Sequence, residues 1–290
     1  MKRVRTFTFL ILLTLSFCIV VTSQNREIRY TILYYDWVYL DGLLSRNFIE
    51  KEPSINIKKD SNLNFDYDWL NEKGPIFIAH RGGNYLKTGQ NTKTTIERSL
   101  NSDIEFIEID FYLDDEKKIS CLTDPEFFFD ICSIEWLFKK IIEKDFYLII
   151  DLKINVHDED LYRYFYNSLK EINGFEEVKN KIIPQSYNLN NINTLFRLGY
   201  DLGPIFTTYR SNVPIDLLYK KVKRFELEAM AVPYGNIEFI IRASDKDISY
   251  FLFPIKDLNQ LEVAFDAKVK GIYSPFEEFK DLFVKLIKEN

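Results

Sequence analysis

Residues 106–110, which read Phe-Ile-Glu-Ile-Asp, decide the fold. Because side chains alternate along a β-strand, Glu108 and Asp110 share one face and the two isoleucines share the other. Residues 146–153, Phe-Tyr-Leu-Ile-Ile-Asp-Leu-Lys, repeat the pattern, with Asp151 and Lys153 on a common face. Apolar strands that carry charge at their C-terminal ends are typical of parallel α/β folds, in which those ends form the active site.

Similar apolar runs continue from Pro75 onward, and amphipathic helical stretches lie between them. The predicted strands are 75–79, 106–110, 146–151, 182–185, 202–206, 229–232, 250–255 and 271–273, with 118–122 as a hairpin partner of the second. The predicted helices include 92–100, capped by Asn91, and 133–143, 158–172, 189–198, 258–267 and 276–288. Eight strands that alternate with helices over residues 75–290 predict a closed (β/α)₈ TIM barrel rather than an open sheet.

The composition predicts a folded protein that is not a general nucleic-acid binder. The 290 residues are 46% hydrophobic and 28% charged, which supplies ample material for a core. The net charge of -6 disfavours a nucleic-acid partner, since phosphate contacts require a basic face. A local cationic pocket remains compatible with this balance.

Residues 1–23 have the layout of a signal peptide or an N-terminal anchor. Basic residues at 2, 3 and 5 precede the apolar stretch 7–21, which is shorter than the about 20 residues of a spanning helix. A lipoprotein reading through Cys18 is weaker, because Phe17 stands where a small residue is needed. We therefore expect a protein that is secreted, periplasmic or membrane-anchored on the exported side, with residues 24–74 as an N-terminal extension of the barrel 75–290.

Two cysteines remain after the predicted leader. In an exported chain Cys121 and Cys132 could form one disulfide, but we expect two buried, unbonded side chains. No zinc spacing of cysteine and histidine occurs, and His80 and His157 are the only histidines. A histidine-rich metal site is therefore excluded.

The carboxylates of Glu108, Asp110 and Asp151 predict a metal site. Like charges held together beside a packed interior are costly unless a cation lies between them. Oxygen ligands of this kind suit Mg²⁺ or Ca²⁺ and are poorly suited to zinc. The alternative is that Glu108 and Asp110 lie on an exposed strand face. That alternative would explain a single pair of carboxylates, but it explains less well why the same pattern recurs on the next strand.

The first predicted strand ends in His80-Arg81-Gly82-Gly83. The histidine is an acid/base group, the arginine is a bidentate phosphate ligand, and the glycines let the backbone approach an anion. A histidine with a purely structural role is the simpler interpretation of the dipeptide alone. Its position beside the carboxylates favours the functional one.

These motifs, in this order, resemble the glycerophosphodiester phosphodiesterase family. The resemblance rests on residues 80–83, 90–92 (Gln-Asn-Thr), 108–110, 124–125 (Asp-Pro), 151–153, 184–187, 253–257 and 271–275. It implies a barrel that cleaves phosphodiesters of glycerol with one divalent ion and two histidines. By this resemblance Glu108, Asp110 and Asp151 hold the metal, Arg81 and Lys153 bind the phosphate, and His80 is half of the acid/base pair.

The sequence departs from the family pattern at four positions. The second histidine of the family is replaced by Thr123, which cannot transfer a proton near neutral pH. Asp151 stands for a glutamate, Gln90 for an acidic residue and Phe253 for a tryptophan. The Asp-x-Lys motif is also similar to that of the spider-venom sphingomyelinase D group, which likewise uses two histidines.

Two functions follow. The first is a metal-dependent phosphodiester hydrolase that acts on glycerophosphodiesters or on lysophospholipid-like substrates. The alternative, which Thr123 favours, is a catalytically impaired barrel that binds a phospho-ligand or a partner at the cell surface. His157, six residues after Asp151, could replace the second histidine, or it could be a solvated residue at a helix start.

Overall fold

A computed structural model describes residues 64–71, 74–113, 117–123, 125–153, 159–200, 202–208, 215–242 and 248–288. The predicted leader 1–23, most of the extension 24–74, Asp124 and His157 lie outside the described residues. None of the helices in the described ranges combines the length and the apolar composition that a membrane crossing requires.

The described residues form a closed barrel. The strands are β1 (Ile76–Ala79), β2 (Phe106–Leu113), β3 (Ile119–Cys121), β4 (Tyr147–Leu152), β5 (Ile182–Ser186), β6 (Ile205–Thr207), β7 (Ala229–Pro233), β8 (Ser249–Phe253) and β9 (Gly271–Ser274). Their order is β1-β9-β8-β7-β6-β5-β4-β2-β3, and a further pairing of β1 with β2 closes the ring. Among the described strands only β3 is antiparallel, as the hairpin partner of β2. The remaining eight strands are parallel, so the predicted (β/α)₈ barrel is confirmed.

Helices alternate with the strands. They are α1 (Asp68–Asn71), α2 (Tyr85–Thr88), α3 (Lys93–Asn101), α4 (Ile134–Lys144), α5 (Glu159–Lys170), α6 (Phe175–Val178), α7 (Leu189–Arg197), α8 (Ile215–Arg224), α9 (Ile237–Arg242), α10 (Leu258–Asp266) and α11 (Glu278–Lys288). Helices α8 and α9 and the short helices α1, α2 and α6 were not predicted from the sequence. The predicted cap of α3 is wrong, because Thr92 and not Asn91 accepts the hydrogen bond from Thr95 N, at 3.2 Å.

The alternation along the strands divides the core into two layers. Phe106 and Ile149 point into the barrel and belong to the inner cluster, whereas Ile107, Ile109 and the helices form the outer cluster. Glu108 and Asp110 continue the inward-facing row of β2 toward its C-terminal end. Their burial inside the barrel mouth therefore follows from the period of the strand.

Residues 64–71 close the N-terminal end of the barrel. Tyr67, Trp69 and Leu70 are buried in the inner cluster, and the Tyr67 hydroxyl donates a hydrogen bond of 3.1 Å to Pro204 O. A Cβ at Gly203 would lie 2.3 Å from the Tyr67 ring, so this packing needs a glycine there. A cavity of about 660 Å³ opens at the same end, with Asp66 and Glu228 on its wall. It lies at the opposite end of the strands from the carboxylates.

Cys121 and Cys132 form a disulfide, so the expectation of unbonded thiols is wrong. The hairpin strand β3 returns beside β2 and the chain turns back before α4, which brings the two Cα atoms to 5.8 Å. That separation lies within the range of disulfides. Both side chains are also buried, so the bridge ties the hairpin to the outer core.

Candidate active site

The six predicted site residues meet at the C-terminal ends of neighbouring strands. They are His80 and Arg81 after β1, Glu108 and Asp110 on β2, and Asp151 and Lys153 at the end of β4. Parallel register places Asp110 directly beside Asp151. Ligand oxygens of the three carboxylates lie within 4.8 Å of one another, and all three residues are buried.

The turn after β1 brings the histidine and arginine over the carboxylates. The 3₁₀ turn His80–Gly82 contains Arg81 at φ 55°, and Gly82 and Gly83 follow at φ 86° and 123°. Left-handed backbone of this kind favours glycine. A Cβ at Gly83 would also lie 2.1 Å from Ser99 Oγ, so the second glycine permits the close packing of this turn on α3.

Glu108 is held by this turn. The backbone N–H of Arg81 donates a hydrogen bond of 2.7 Å to Glu108 Oε2, and His80 Nε2 lies 4.0 Å from the same oxygen. Burial raises the pKa of Glu108 well above its ordinary value, and Asp110 and Asp151 add to the shift. A carboxyl group in this environment gains from a neighbouring cation.

Asp110 lies between two cationic side chains. Its oxygens are 3.1 Å from Arg81 Nε and 3.0 Å from Lys153 Nζ. Burial by itself would raise the pKa of Asp110, but Lys153 and Arg81 outweigh it and lower the pKa. Neither oxygen receives a hydrogen bond of regular geometry from the described residues. Both oxygens can therefore accept a further cationic partner.

Asp151 is held by Lys153 and Tyr187. Lys153 Nζ contacts Asp151 Oδ2, and the Tyr187 hydroxyl donates to Asp151 Oδ1 at 2.7 Å. Lys153 also donates to the Tyr187 hydroxyl at 3.1 Å. Burial would lower the pKa of Lys153, but Asp110 and Asp151 outweigh it and raise the pKa.

The donor set fits a divalent cation. Among the described residues, three buried carboxylates outnumber the two cations that touch them, and both Asp110 oxygens lack regular hydrogen bonds. Oxygen-only ligands are those that Mg²⁺ and Ca²⁺ prefer. Glu108, Asp110 and Asp151 are the residues that would hold the ion.

His80 is buried and lies against the aromatic rings of Tyr85 and Tyr273, with centroids at 6.0 and 6.4 Å. Burial lowers its pKa well below the ordinary value, and the charge of Arg81 lowers it further. Its Nδ1 atom has no hydrogen-bond partner among the described residues. This atom therefore lacks the structural bond that usually fixes a buried histidine.

Thr123 is bonded at the rim. Its hydroxyl donates a hydrogen bond of 2.7 Å to Gln90 O, and the Gln90 side chain accepts one of 2.8 Å from Arg81 Nη1. Asn91 Nδ2 donates to Leu122 O, and Asn91 Oδ1 accepts from Asp110 N at 3.2 Å. The segment with Thr123 is thus connected through Gln90 and Asn91 to Arg81 and Asp110.

Sequence reasoning assigned no role to four residues that line this site. Tyr187 contacts Asp151 and Lys153, Gln90 contacts Arg81, and Gln185 accepts a hydrogen bond of 3.0 Å from the Tyr273 hydroxyl. Half-buried Lys256, just beyond β8, has a pKa lowered by burial and by Arg81. The available signal was position, since each of Tyr187, Gln185 and Lys256 follows or ends a predicted strand.

Several solved structures that match this chain are phosphodiesterases. An Oleispira antarctica phosphodiesterase in complex with the product sn-glycerol-3-phosphate matches with a TM-score of 0.60, over 74% of this chain and 99% of that one, at 13% identity. A glycerophosphodiester phosphodiesterase from Parabacteroides distasonis gives 0.59, over 73% and 98%, at 15% identity. One from Thermotoga maritima gives 0.52, over 74% and 99%, at 17% identity.

This chain has the fold of the glycerophosphodiester phosphodiesterases. Identities of this size establish the architecture, and the chain spans nearly the whole length of these structures. No protein-family model and no curated protein matches the sequence. In TIM-barrel enzymes the active site lies at the C-terminal ends of the strands. His80 and the three carboxylates lie at this end of the barrel.

Proposed function

We propose that this protein is a metal-dependent phosphodiester hydrolase that acts on glycerophosphodiesters or lysophospholipid-like substrates. One observation carries the proposal: three buried carboxylates within 4.8 Å lie beside a histidine and two cations at the barrel mouth. The shared fold with phosphodiesterases supports it. A bound divalent cation would supply Lewis-acid polarisation of a phosphoryl oxygen.

Arg81 and Lys153 bind the substrate phosphate in this proposal. Arg81 Nε and Lys153 Nζ lie 3.1 and 3.0 Å from the two oxygens of Asp110, so both cationic groups are present at the mouth where the phosphate would bind. Three carboxylates and a phosphodiester carry four negative charges, which a divalent ion, Arg81 and Lys153 together balance. The guanidinium and ammonium groups also stabilise the charge that develops on the phosphoryl oxygens during cleavage.

His80 moves the proton. It would accept one at a ring nitrogen from an attacking water or from the substrate's own glycerol hydroxyl, and return it to the leaving group. Loss of one acid/base group typically costs about 10²–10⁴-fold in rate. Because Thr123 supplies no second acid/base group, we expect catalysis by the ion, the two cationic side chains and His80 to be slower by about this factor but not abolished.

Exposed aromatic residues at the rim favour an amphiphilic substrate. Phe128 and Phe129 are 69% and 87% exposed in the 3₁₀ turn Pro125–Asp130. The turn is fixed beside the mouth, since Asp130 accepts a hydrogen bond of 3.0 Å from Thr94 N and the disulfide closes its base. Apolar side chains this exposed suit contact with an acyl chain or a lipid surface.

An exported location remains part of the proposal. The Cys121–Cys132 disulfide supports it, because such bonds persist in oxidising compartments. The layout of residues 1–23 as a signal peptide or anchor agrees with the same compartment. Retention of that segment would associate the protein with a membrane.

The test is release of choline from glycerophosphocholine and from lysophosphatidylcholine, with Mg²⁺, with Ca²⁺ and with chelator. The other product of hydrolysis is glycerol 3-phosphate from the first substrate and its acyl ester from the second. We expect turnover that requires a divalent ion and falls by at least about 10²-fold in His80→Gln. Unchanged activity in His80→Gln would refute the assignment of His80. Ligand binding without turnover of any substrate would favour the alternative, a barrel that binds a phospho-ligand at the cell surface.

A further inference from the structure

The ammonium group of Lys153 lies between two of the three carboxylates. Its Nζ atom is 3.0 Å from Asp110 Oδ1 and in contact with Asp151 Oδ2. The side chain is only 13% exposed, so this charge is largely removed from water. Lys153 is thus an internal cation at the place where the carboxylates converge.

A divalent ion needs oxygens from the same two residues. The ligand oxygens of Glu108, Asp110 and Asp151 lie within 4.8 Å of one another, so an ion bound to all three would lie close to the position of the ammonium group. A divalent ion and an ammonium group a few ångströms apart repel each other twice as strongly as two unit charges at the same distance. Joint occupation of the carboxylates by Lys153 and a divalent ion is therefore unfavourable.

Tyr187 is a further partner of the Lys153 ammonium group. Its hydroxyl accepts a hydrogen bond of 3.1 Å from Lys153 Nζ, and the ammonium lies 5.7 Å from the Tyr187 ring centroid. Lysine carries its charge on a flexible four-carbon stem with three rotatable donors. The ammonium can leave the carboxylates while it stays beside the tyrosine at the barrel mouth.

We propose that Lys153 and the divalent cation compete for Asp110 and Asp151, so that binding of the ion releases the Lys153 ammonium toward the substrate phosphate. This inference rests on the metal site of the proposed function. It adds an order of events: Lys153 neutralises the carboxylates before the ion binds and becomes a phosphate ligand afterwards. Before the ion binds, Lys153 thus acts on the carboxylates and not on the substrate.

Calorimetric titration of the full chain with Mg²⁺ tests the competition. Lys153→Met should bind Mg²⁺ at least about ten-fold more tightly than the unmodified protein, since one like charge is removed from the site. Lys181→Met is the matched control, because Lys181 pairs with Asp145 near the N-terminal end of β5. It makes the same change in net charge and should leave the Mg²⁺ affinity unchanged.

A second measurement needs no substitution at the site. Amine acetylation of the unmodified protein, followed by mass spectrometry, should modify Lys153 several-fold faster with saturating Mg²⁺ than with chelator, while Lys181 reacts at one rate. Equal or weaker Mg²⁺ affinity in Lys153→Met, or a Lys153 rate that Mg²⁺ leaves unchanged, would overturn the inference and leave the proposed function standing. Absence of both Mg²⁺ and Ca²⁺ binding in the unmodified protein and in Lys153→Met would overturn the inference and the metal site together.

Discussion

The Thr123 hydroxyl donates a hydrogen bond of 2.7 Å to the carbonyl oxygen of Gln90, the residue whose side chain accepts from Arg81. The threonine is therefore bonded to the wall of the site at the position where the family that the sequence resembles has its second histidine. A hydroxyl group in this role stabilises the rim and cannot serve as a base near neutral pH.

Thr123→His should raise phosphodiesterase activity, because it restores a group that titrates near neutrality beside Arg81 and Asp110. The expected gain is about ten-fold or more, the lower part of the range for one acid/base group. Thr123→Val is the matched control, since it removes the hydrogen bond to Gln90 and adds no titratable group. Rates of glycerol 3-phosphate release measure both, and equal rates in the two variants would contradict the prediction.

Removal of the disulfide should lower stability with little effect on the site. The bond closes a loop between residues separated by 11 positions, for which the entropic contribution is about 3 kcal/mol. Paired Cys121→Ser and Cys132→Ser substitutions should therefore reduce the free energy of unfolding in urea by about that amount. Urea unfolding of the unmodified protein with and without a reductant is the control. An unfolding midpoint that the reductant leaves unchanged would refute the stabilising role of the disulfide.

Phe128→Ser with Phe129→Ser should separate amphiphilic from soluble substrates. We expect a several-fold rise in KM for micellar lysophosphatidylcholine and no change for glycerophosphocholine, since both rings are mostly exposed to solvent. Ile241→Ser, at a side chain that is 56% exposed on α9, is the control for loss of surface apolar area. An equal effect on both substrates would instead indicate damage to the mouth.

The sequence was sufficient for the barrel and for the convergence of the three carboxylates. Strand period alone places Glu108 and Asp110 inward, and parallel register then sets Asp151 beside Asp110. The barrel and the convergence of the carboxylates therefore follow from the alternation of side chains along each strand and from the parallel pairing of neighbouring strands.

What the sequence could not supply depends on tertiary contacts. Asn91 precedes a helix in a pattern typical of a cap, yet its backbone adopts φ 54° and its amide joins Leu122 to Asp110, so Thr92 caps instead. The approach of Cys121 to Cys132 depends on the path of a hairpin that sequence spacing does not define. Tyr187 gained its role because β5 lies next to β4, which brings its hydroxyl to Asp151.

The central claim is that Glu108, Asp110 and Asp151 bind a divalent cation on which phosphodiester cleavage depends. The most direct test compares the Mg²⁺ or Ca²⁺ dissociation constant from calorimetry with the ion concentration that gives half-maximal release of glycerol 3-phosphate. We predict that the two values coincide in the unmodified protein and that Asp110→Asn loses both binding and turnover. Cleavage that persists in chelator, or binding that Asp110→Asn retains unchanged, would contradict the claim.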